Sequence, residues 1–302
     1  MLSRSLSPLL IALAAMLWGS DLLLRSRVVQ AGWSAVDIVL AEHLLLTVAF
    51  LVPLWRGRAL LLSLSRRQWA ALLFVGIGGS AIATWLYTLA FTLDYSRALT
   101  VVLLQKTQPI FALVLAGLVL HERRMGGFWF WCALALTGSC LLVVEDQGFH
   151  AHSQAGFRIT QALLAIGASA LWGAATVAGR PLAVAMPPSL LAGARFALAL
   201  PALALLALFS SPPPASARTP EIAELLCLIA LLPGLLGMAL YYKGLKMTTA
   251  SVATLAELCY PLTALLIGEF VQHALMTPGQ WVGLALLMTA VLGLSGIGRG
   301  RV

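Results

Sequence analysis

The sequence predicts an all-α membrane protein of ten transmembrane helices, arranged as two inverted five-helix repeats around a central cavity, with both termini in the cytoplasm. Three observations carry that expectation: an apolar composition, ten stretches of spanning length, and residues that recur once at a near-constant offset. Of the 302 residues, 61% are hydrophobic and 10% charged, against about 25% charged in soluble domains. A soluble helical fold would need polar outer faces on its helices, and almost no segment offers one. The net charge of +8 comes from basic residues between apolar stretches, so it reports topology and argues for no nucleic-acid partner. Cys132, Cys140, Cys227 and Cys259 lie within apolar stretches at no metal-ligand spacing, so neither a metal, a cofactor nor a disulfide framework is expected.

About 20 residues cross the hydrocarbon of a bilayer, and windows of that length fit at Pro8–Val29, Val36–Trp55, Gln68–Phe91, Ala98–Leu120, Gly126–Val144, Ile159–Val184, Ser189–Phe209, Ile222–Leu245, Ala250–Val271 and Pro278–Ile297. The first window has the look of a signal peptide, but its Leu17-Trp18-Gly19 returns as Leu171-Trp172-Gly173, which makes it part of the fold. Trp33, Trp55, Trp69, Trp129, Trp131 and Trp281 fall near window ends, as an interfacial aromatic belt would place them. With a cytoplasmic N-terminus, the inner segments hold Arg4, Arg56, Arg58, Arg66, Arg67, Arg123, Arg124, Arg180, Lys243, Lys246, Arg299 and Arg301. The outer segments hold fewer basic residues, Arg25, Arg27, Arg97, Arg158 and Arg218, which sets the orientation by the positive-inside bias. The Ser210–Pro220 segment reads as an extended loop.

The fourth window is interrupted by Gln105-Lys106-Thr107-Gln108-Pro109, and the ninth by Glu257-Leu258-Cys259-Tyr260-Pro261, 152 residues later. Ala98 and Ala250, Ala112 and Ala264, His121 and His273, and Trp129 and Trp281 share that offset. This is an internal duplication, with one repeat over 1–146, a connection over 147–157 and a second repeat over 158–302. An odd number of spans per copy inverts the second copy in the membrane, as in transporters whose substrate sites lie at the interface of the halves. The Gly76-Ile77-Gly78-Gly79-Ser80 run and the Gly279/Gly283 pair read as close helix packing.

A charge at mid-membrane costs roughly 2.5–3.5 kcal/mol on insertion scales, so polar groups there line a cavity or pair with one another. The intramembrane ionisable residues are Asp21, Arg25, Glu42, Lys106, Arg195 and Glu257. Asp21 and Arg25, one helical turn apart, can form an ion pair. Glu42 and His43 point about 100° apart and are not expected to face one spot. Trp18, Trp172, Tyr87 and Tyr241 form mirrored aromatic walls beside Gln105, Gln108 and Tyr260, a lining that suits an amphipathic small molecule. His43 titrates near physiological pH, and Glu257 is a carboxyl taken out of water, so both are candidates for proton coupling.

Leu17-Trp18-Gly19 with Leu171-Trp172-Gly173, the prolines Pro109 and Pro261, and Leu120-His121-Glu122-Arg123 resemble the EamA-type transporters of the drug/metabolite transporter superfamily over nearly the whole chain. The resemblance implies ten helices, cytoplasmic termini, Pro109 and Pro261 as hinges, and export of metabolites by alternating access across the bacterial inner membrane. The acidic residue that would mirror Glu122 falls on Ala274. Within that superfamily the aromatic lining looks most like exporters of aromatic and other neutral amino acids. On that reading Lys106 or Arg195 faces a substrate carboxylate, and Glu257 or Asp21 its amine. Nucleosides or amphipathic cations are the alternative cargo, and the duplicated halves make a functional monomer the expected state. An intramembrane enzyme would need a nucleophile or metal motif that the chain lacks, and a passive channel would show flux without saturation.

Overall fold

The computed structural model describes residues 6–93, 101, 104–122, 127–146, 159–260, 262–263, 266 and 277–297. Helices account for nearly all of them, and no strand occurs among the described residues. The helices are α1 (Ser7–Gln30), α2 (Ala35–Ala49), α3 (Leu51–Leu62), α4 (Arg66–Leu93), α5 (Gln108–Val119), α6 (Phe128–Asp146), α7 (Ile159–Ala185), α8 (Pro188–Ala207), α9 (Pro220–Leu245), α10 (Ala250–Cys259, its last turn 3-10) and α11 (Pro278–Ile297).

α1, α4, α7, α8 and α9 are long and apolar enough to cross a membrane, and α2 with α3 passes the same test as a pair. That pair departs from the predicted second span: it bends by 77° at Phe50, and α3 carries the chain on to Leu62. Polar termini are closed locally. Ser34 accepts the Asp37 N–H, Ser65 and Gln68 form a capping box at α4, and Thr249 caps α10 by accepting the Val252 N–H.

Both third windows contain a π-helical stretch, Phe74–Ile82 in α4 and Ala230–Gly237 in α9. These are the glycine-rich run and its Pro233-Gly234 counterpart. A π turn widens the helix and displaces backbone carbonyls from their usual partners. At residues 154 apart, those carbonyls are taken by side chains: Gly79 O accepts from Arg195 Nη2 at 3.0 Å, and Pro233 O accepts from Trp18 Nε1 at 3.1 Å. The expectation of close packing at the glycine run also holds, since a Cβ on Gly79 would collide with that of Ala175.

Both fourth windows break at the positions marked by polar residues. Leu104 and Gln105 are helical, Lys106 and Thr107 form a turn, and α5 restarts at Gln108. Its equivalent, α10, tightens to a 3-10 turn over Glu257–Cys259. Pro109 stands in the first turn of α5, where its missing N–H has no helical partner to lose. It therefore starts a helix and does not hinge a continuous one; Pro261 lies outside the described residues.

The Trp-Gly pairs bind these breaks. A Cβ on Gly19 would collide with Tyr260 O, and one on Gly173 would meet Gln108 O at 2.9 Å. The first helix of each half thus packs its glycine on the broken helix of the other half. α1 also packs on α9, α7 on α4, and α6 on α11, where Gly138 lies against the backbone of Gly283 and Leu287. Small residues are what lets helices approach in lipid, where burial of apolar surface drives nothing.

One further tie joins the halves. His121 adopts φ 52°, a strained left-handed turn that presents Glu122 to the start of α10. The Glu122 carboxylate accepts the Ala250 and Ser251 N–H groups at 2.7 and 3.0 Å and the Ser251 hydroxyl at 2.6 Å. Arg180 Nε donates to the Thr248 carbonyl beside it.

Two outcomes follow for variants measured by thermal unfolding in detergent. Gly19→Ala forces a methyl into a backbone carbonyl and is expected to destabilise by about 1–3 kcal/mol. Gly167→Ala, whose Cβ would meet its nearest neighbour at an ordinary 3.5 Å, is expected to be neutral; equal melting temperatures for the two would contradict the close-approach argument. Glu122→Ala leaves two N–H groups without their acceptor and is expected to cost about 1–3 kcal/mol, with Glu122→Gln intermediate. An unchanged midpoint in the alanine variant would show that water replaces the carboxylate at no cost.

Candidate functional site

A cavity of about 130 Å³ lies between the two halves. Helical spacing explains which side chains reach it. Residues three, four and seven apart share a helix face, and the lining uses Trp18, Asp21 and Arg25 of α1, Ser80, Thr84 and Tyr87 of α4, and Trp172, Ala175 and Thr176 of α7. The break before α5 adds Gln105 and Gln108, and α10 adds Glu257 and Tyr260. Glu42, His43, Arg195, Phe196, Pro233, Gly234, Met238 and Tyr241 complete the wall.

The aromatic walls are two equivalent pairs. Trp18 and Tyr241 have ring centroids 5.1 Å apart, and so do Trp172 and Tyr87. Each pair joins the first helix of one half to the third helix of the other. Tyr87 and Tyr260 meet through their hydroxyls at 3.1 Å, and the Tyr241 hydroxyl meets Thr176 Oγ1 at 2.9 Å.

Charge is distributed unevenly. Arg25 donates from Nε and Nη2 to the two Asp21 carboxylate oxygens at 2.7 and 3.0 Å, and from Nη2 to Glu42 Oε2 at 2.8 Å. The expected Asp21–Arg25 pair is therefore a triad, two carboxyls on one guanidinium. Buried ion clusters recover their desolvation cost only when fully hydrogen-bonded; Arg25 adds Thr88 Oγ1 at 3.4 Å. Arg195 has no carboxylate within ion-pair distance among the described residues. Its guanidinium donates to Ser80 Oγ at 3.0 Å, Gly79 O at 3.0 Å and the Tyr242 hydroxyl at 3.3 Å.

Glu42 and His43 both line the cavity, contrary to the expectation from their angular separation. They manage it by serving different partners: Glu42 meets Arg25, whereas His43 Nε2 lies 2.9 Å from Ser80 Oγ and its Nδ1 lies 2.8 Å from Val39 O. A carbonyl can only accept, so Nδ1 carries a hydrogen. The network then closes with Arg195 donating to Ser80 and Ser80 donating to Nε2 of a neutral ring. Both ring nitrogens are thereby engaged.

On the opposite side runs a directed chain: Gln105 Nε2 donates to Gln108 Oε1 at 3.2 Å, and Gln108 Nε2 donates to Glu257 Oε2 at 2.5 Å. Its two ends, Gln105 Oε1 and Glu257 Oε1, are buried oxygens with no hydrogen-bond partner. Such acceptors cost about 1–3 kcal/mol each when unsatisfied, and a ligand's donors would relieve that cost.

Every residue that the sequence nominates for substrate contact lines this cavity except Lys106. Lys106 is 6% exposed, and its ammonium lies behind the wall, 4.2 Å from the Tyr260 ring centroid. Helix spacing from Trp18 could have added Arg25, and spacing from Trp172 could have added Thr176. Met238 and Phe196 carry no signal that separates them from other apolar residues.

The profile of the EamA-like transporter family matches residues 5–144 and again 159–296. The chain is 30% identical over 295 residues to the riboflavin transporter ImpX of Fusobacterium nucleatum, covering 95% of this chain and 96% of that protein. It is 29% identical over 187 residues to the uncharacterised transporter YwfM of Bacillus subtilis, covering 62% and 60% of the two chains. One solved crystal structure shares the fold, with a TM-score of 0.76 at 19% identity over 98% of this chain and 99% of that one. Two matches of one profile along a multi-pass, apolar chain have a single reading: the protein belongs to the EamA-like transporter family.

Proposed function

We propose that the protein exports small, flat, hydrogen-bonding aromatic metabolites across the bacterial inner membrane by alternating access. In this reading the chain is a monomer of ten spans, with inverted repeats over 1–146 and 158–302 and both termini in the cytoplasm. The observation that carries it is the pair of Trp–Tyr contacts, each 5.1 Å between centroids, on either side of a cavity two of whose lining residues, Gln105 and Glu257, each hold a buried oxygen without a hydrogen-bond partner. Aromatic rings stack on a flat molecule, and the oxygens select one that brings N–H or O–H donors. A flavin has both features, and a relative that matches 95% of this chain is named as a riboflavin transporter. The cavity of about 130 Å³ is smaller than the roughly 300–1,000 Å³ of a pocket for a drug-sized ligand. Loading such a cargo therefore requires the walls to part, and the broken helices beside Gln108 and Glu257 are where the backbone can yield.

A second reading, an aromatic or neutral amino acid, is favoured by a different observation. Arg195 lacks a carboxylate partner among the described residues and Glu257 has a free oxygen, so one cavity offers both a cation and an anion to a zwitterion. For proton coupling the geometry favours Glu257 over His43, since both nitrogens of His43 already have partners.

Proteoliposomes with labelled riboflavin or labelled tryptophan, with and without an imposed proton gradient, test these readings. Saturable uptake of riboflavin is expected. Trp172→Ala should lower it on the order of tenfold, the effect of losing one stacked contact of about 1–3 kcal/mol. Tryptophan uptake without riboflavin uptake would select the second reading, and no saturable uptake of either by folded protein would overturn both. Glu257→Gln is expected to abolish stimulation by the gradient; stimulation equal to that of the parent would remove Glu257 from coupling.

A further inference from the structure

The mirrored position of Lys106 is Leu258, 2% exposed, so the pseudo-symmetry that matches the aromatic walls leaves this cation unmatched. Its ammonium is buried, has no carboxylate within ion-pair distance and no hydrogen bond among the described residues, and sits over the ring of Tyr260 at 4.2 Å. A desolvated cation on an aromatic face is attracted by the ring quadrupole, which offsets part of the cost of burying it. Tyr260 is itself cavity wall, tied by its hydroxyl to Tyr87. One ring therefore separates the positive charge from the substrate space. Counted at formal charge with His43 neutral, the wall proper carries three carboxylates, Asp21, Glu42 and Glu257, against two guanidiniums, Arg25 and Arg195. Lys106 brings that formal balance to zero.

We infer that Lys106 determines the charge selectivity of the cavity through Tyr260: it keeps the site for cargo of zero net charge, and without it the site prefers cations. The residue touches no cargo and acts as a specificity-determining charge. This replaces the expectation that Lys106 contacts a substrate carboxylate, and it rests on the proposed aromatic-metabolite site.

Two probe pairs test it, each a net-neutral molecule and its singly cationic analogue: tryptophan with tryptophanamide, and riboflavin with a 10-aminoalkyl flavin. Binding of each is measured by calorimetry on the detergent-solubilised full chain for the parent protein, Lys106→Met and Lys106→Arg. The deciding quantity is the neutral-to-cation ratio of Kd values within a pair that binds, compared between variants, so that the chemical difference between the two probes cancels. Lys106→Met is expected to move that ratio toward the cation on the order of tenfold, the effect of a unit charge about 10 Å away at an effective dielectric near 20. Lys106→Arg, which keeps the charge, should hold the parent ratio. A folded Lys106→Met protein with the parent ratio overturns the inference alone. Equal weakening of both members of a pair makes Lys106 a packing residue and overturns it likewise. A parent protein that binds neither pair overturns the aromatic-metabolite reading and this inference together.

Discussion

In an apolar medium every backbone N–H and C=O must find a partner inside the protein, and this fold breaks its helices where that rule is hardest to satisfy. The answers come from side chains, several of them across the interface of the halves. Arg195 and Trp18 take the carbonyls released by the two π-helical stretches. Ser169 reaches the Leu104 carbonyl at 3.3 Å beside the fourth-window break, and Ser139 reaches the Leu258 carbonyl at 3.3 Å beside the ninth. Thr263 donates to the Met16 carbonyl in α1. The residues that would be burdens in a continuous helix are thus the ones that hold the two halves in register.

The mirrored positions divide into two sorts. Those that set shape are repeated: Trp18 and Trp172, Gly19 and Gly173, Tyr87 and Tyr241. Those that set polarity differ: Gln105 is mirrored by Glu257, Gln108 by Tyr260, His43 by Arg195, and Lys106 by Leu258. His43 and Arg195 even converge on the same Ser80 hydroxyl. The duplicated frame supplies two similar walls, and the unlike polar residues give the space between them a direction.

Much of this was legible in the sequence because duplication amplifies weak signals. A lone tryptophan on an apolar helix says little, but Trp18 and Trp172 in one tripeptide marked both walls. The polar clusters at 105–109 and 257–261 marked both breaks, since charges and proline are tolerated in lipid only where a cavity or partner receives them. What stayed hidden depends on tertiary placement. The turn at Lys106 sends its side chain behind Tyr260, which no spacing reveals. The bend at Phe50 is marked by no proline at the break itself, and Pro53 lies three residues beyond it. The angular rule for Glu42 and His43 held for their directions and failed for the cavity, because a space among several helices can be entered from two sides.

In sequence the tie from Glu122 to the start of α10 is not mirrored: the position matching Glu122 is Ala274 and the one matching Ser251 is Leu99. Three hydrogen bonds from one carboxylate fasten the start of α10 to the turn after α5. Under the alternating access proposed for this chain, any movement between those two segments would have to break all three together, so the tie would make them travel as one piece.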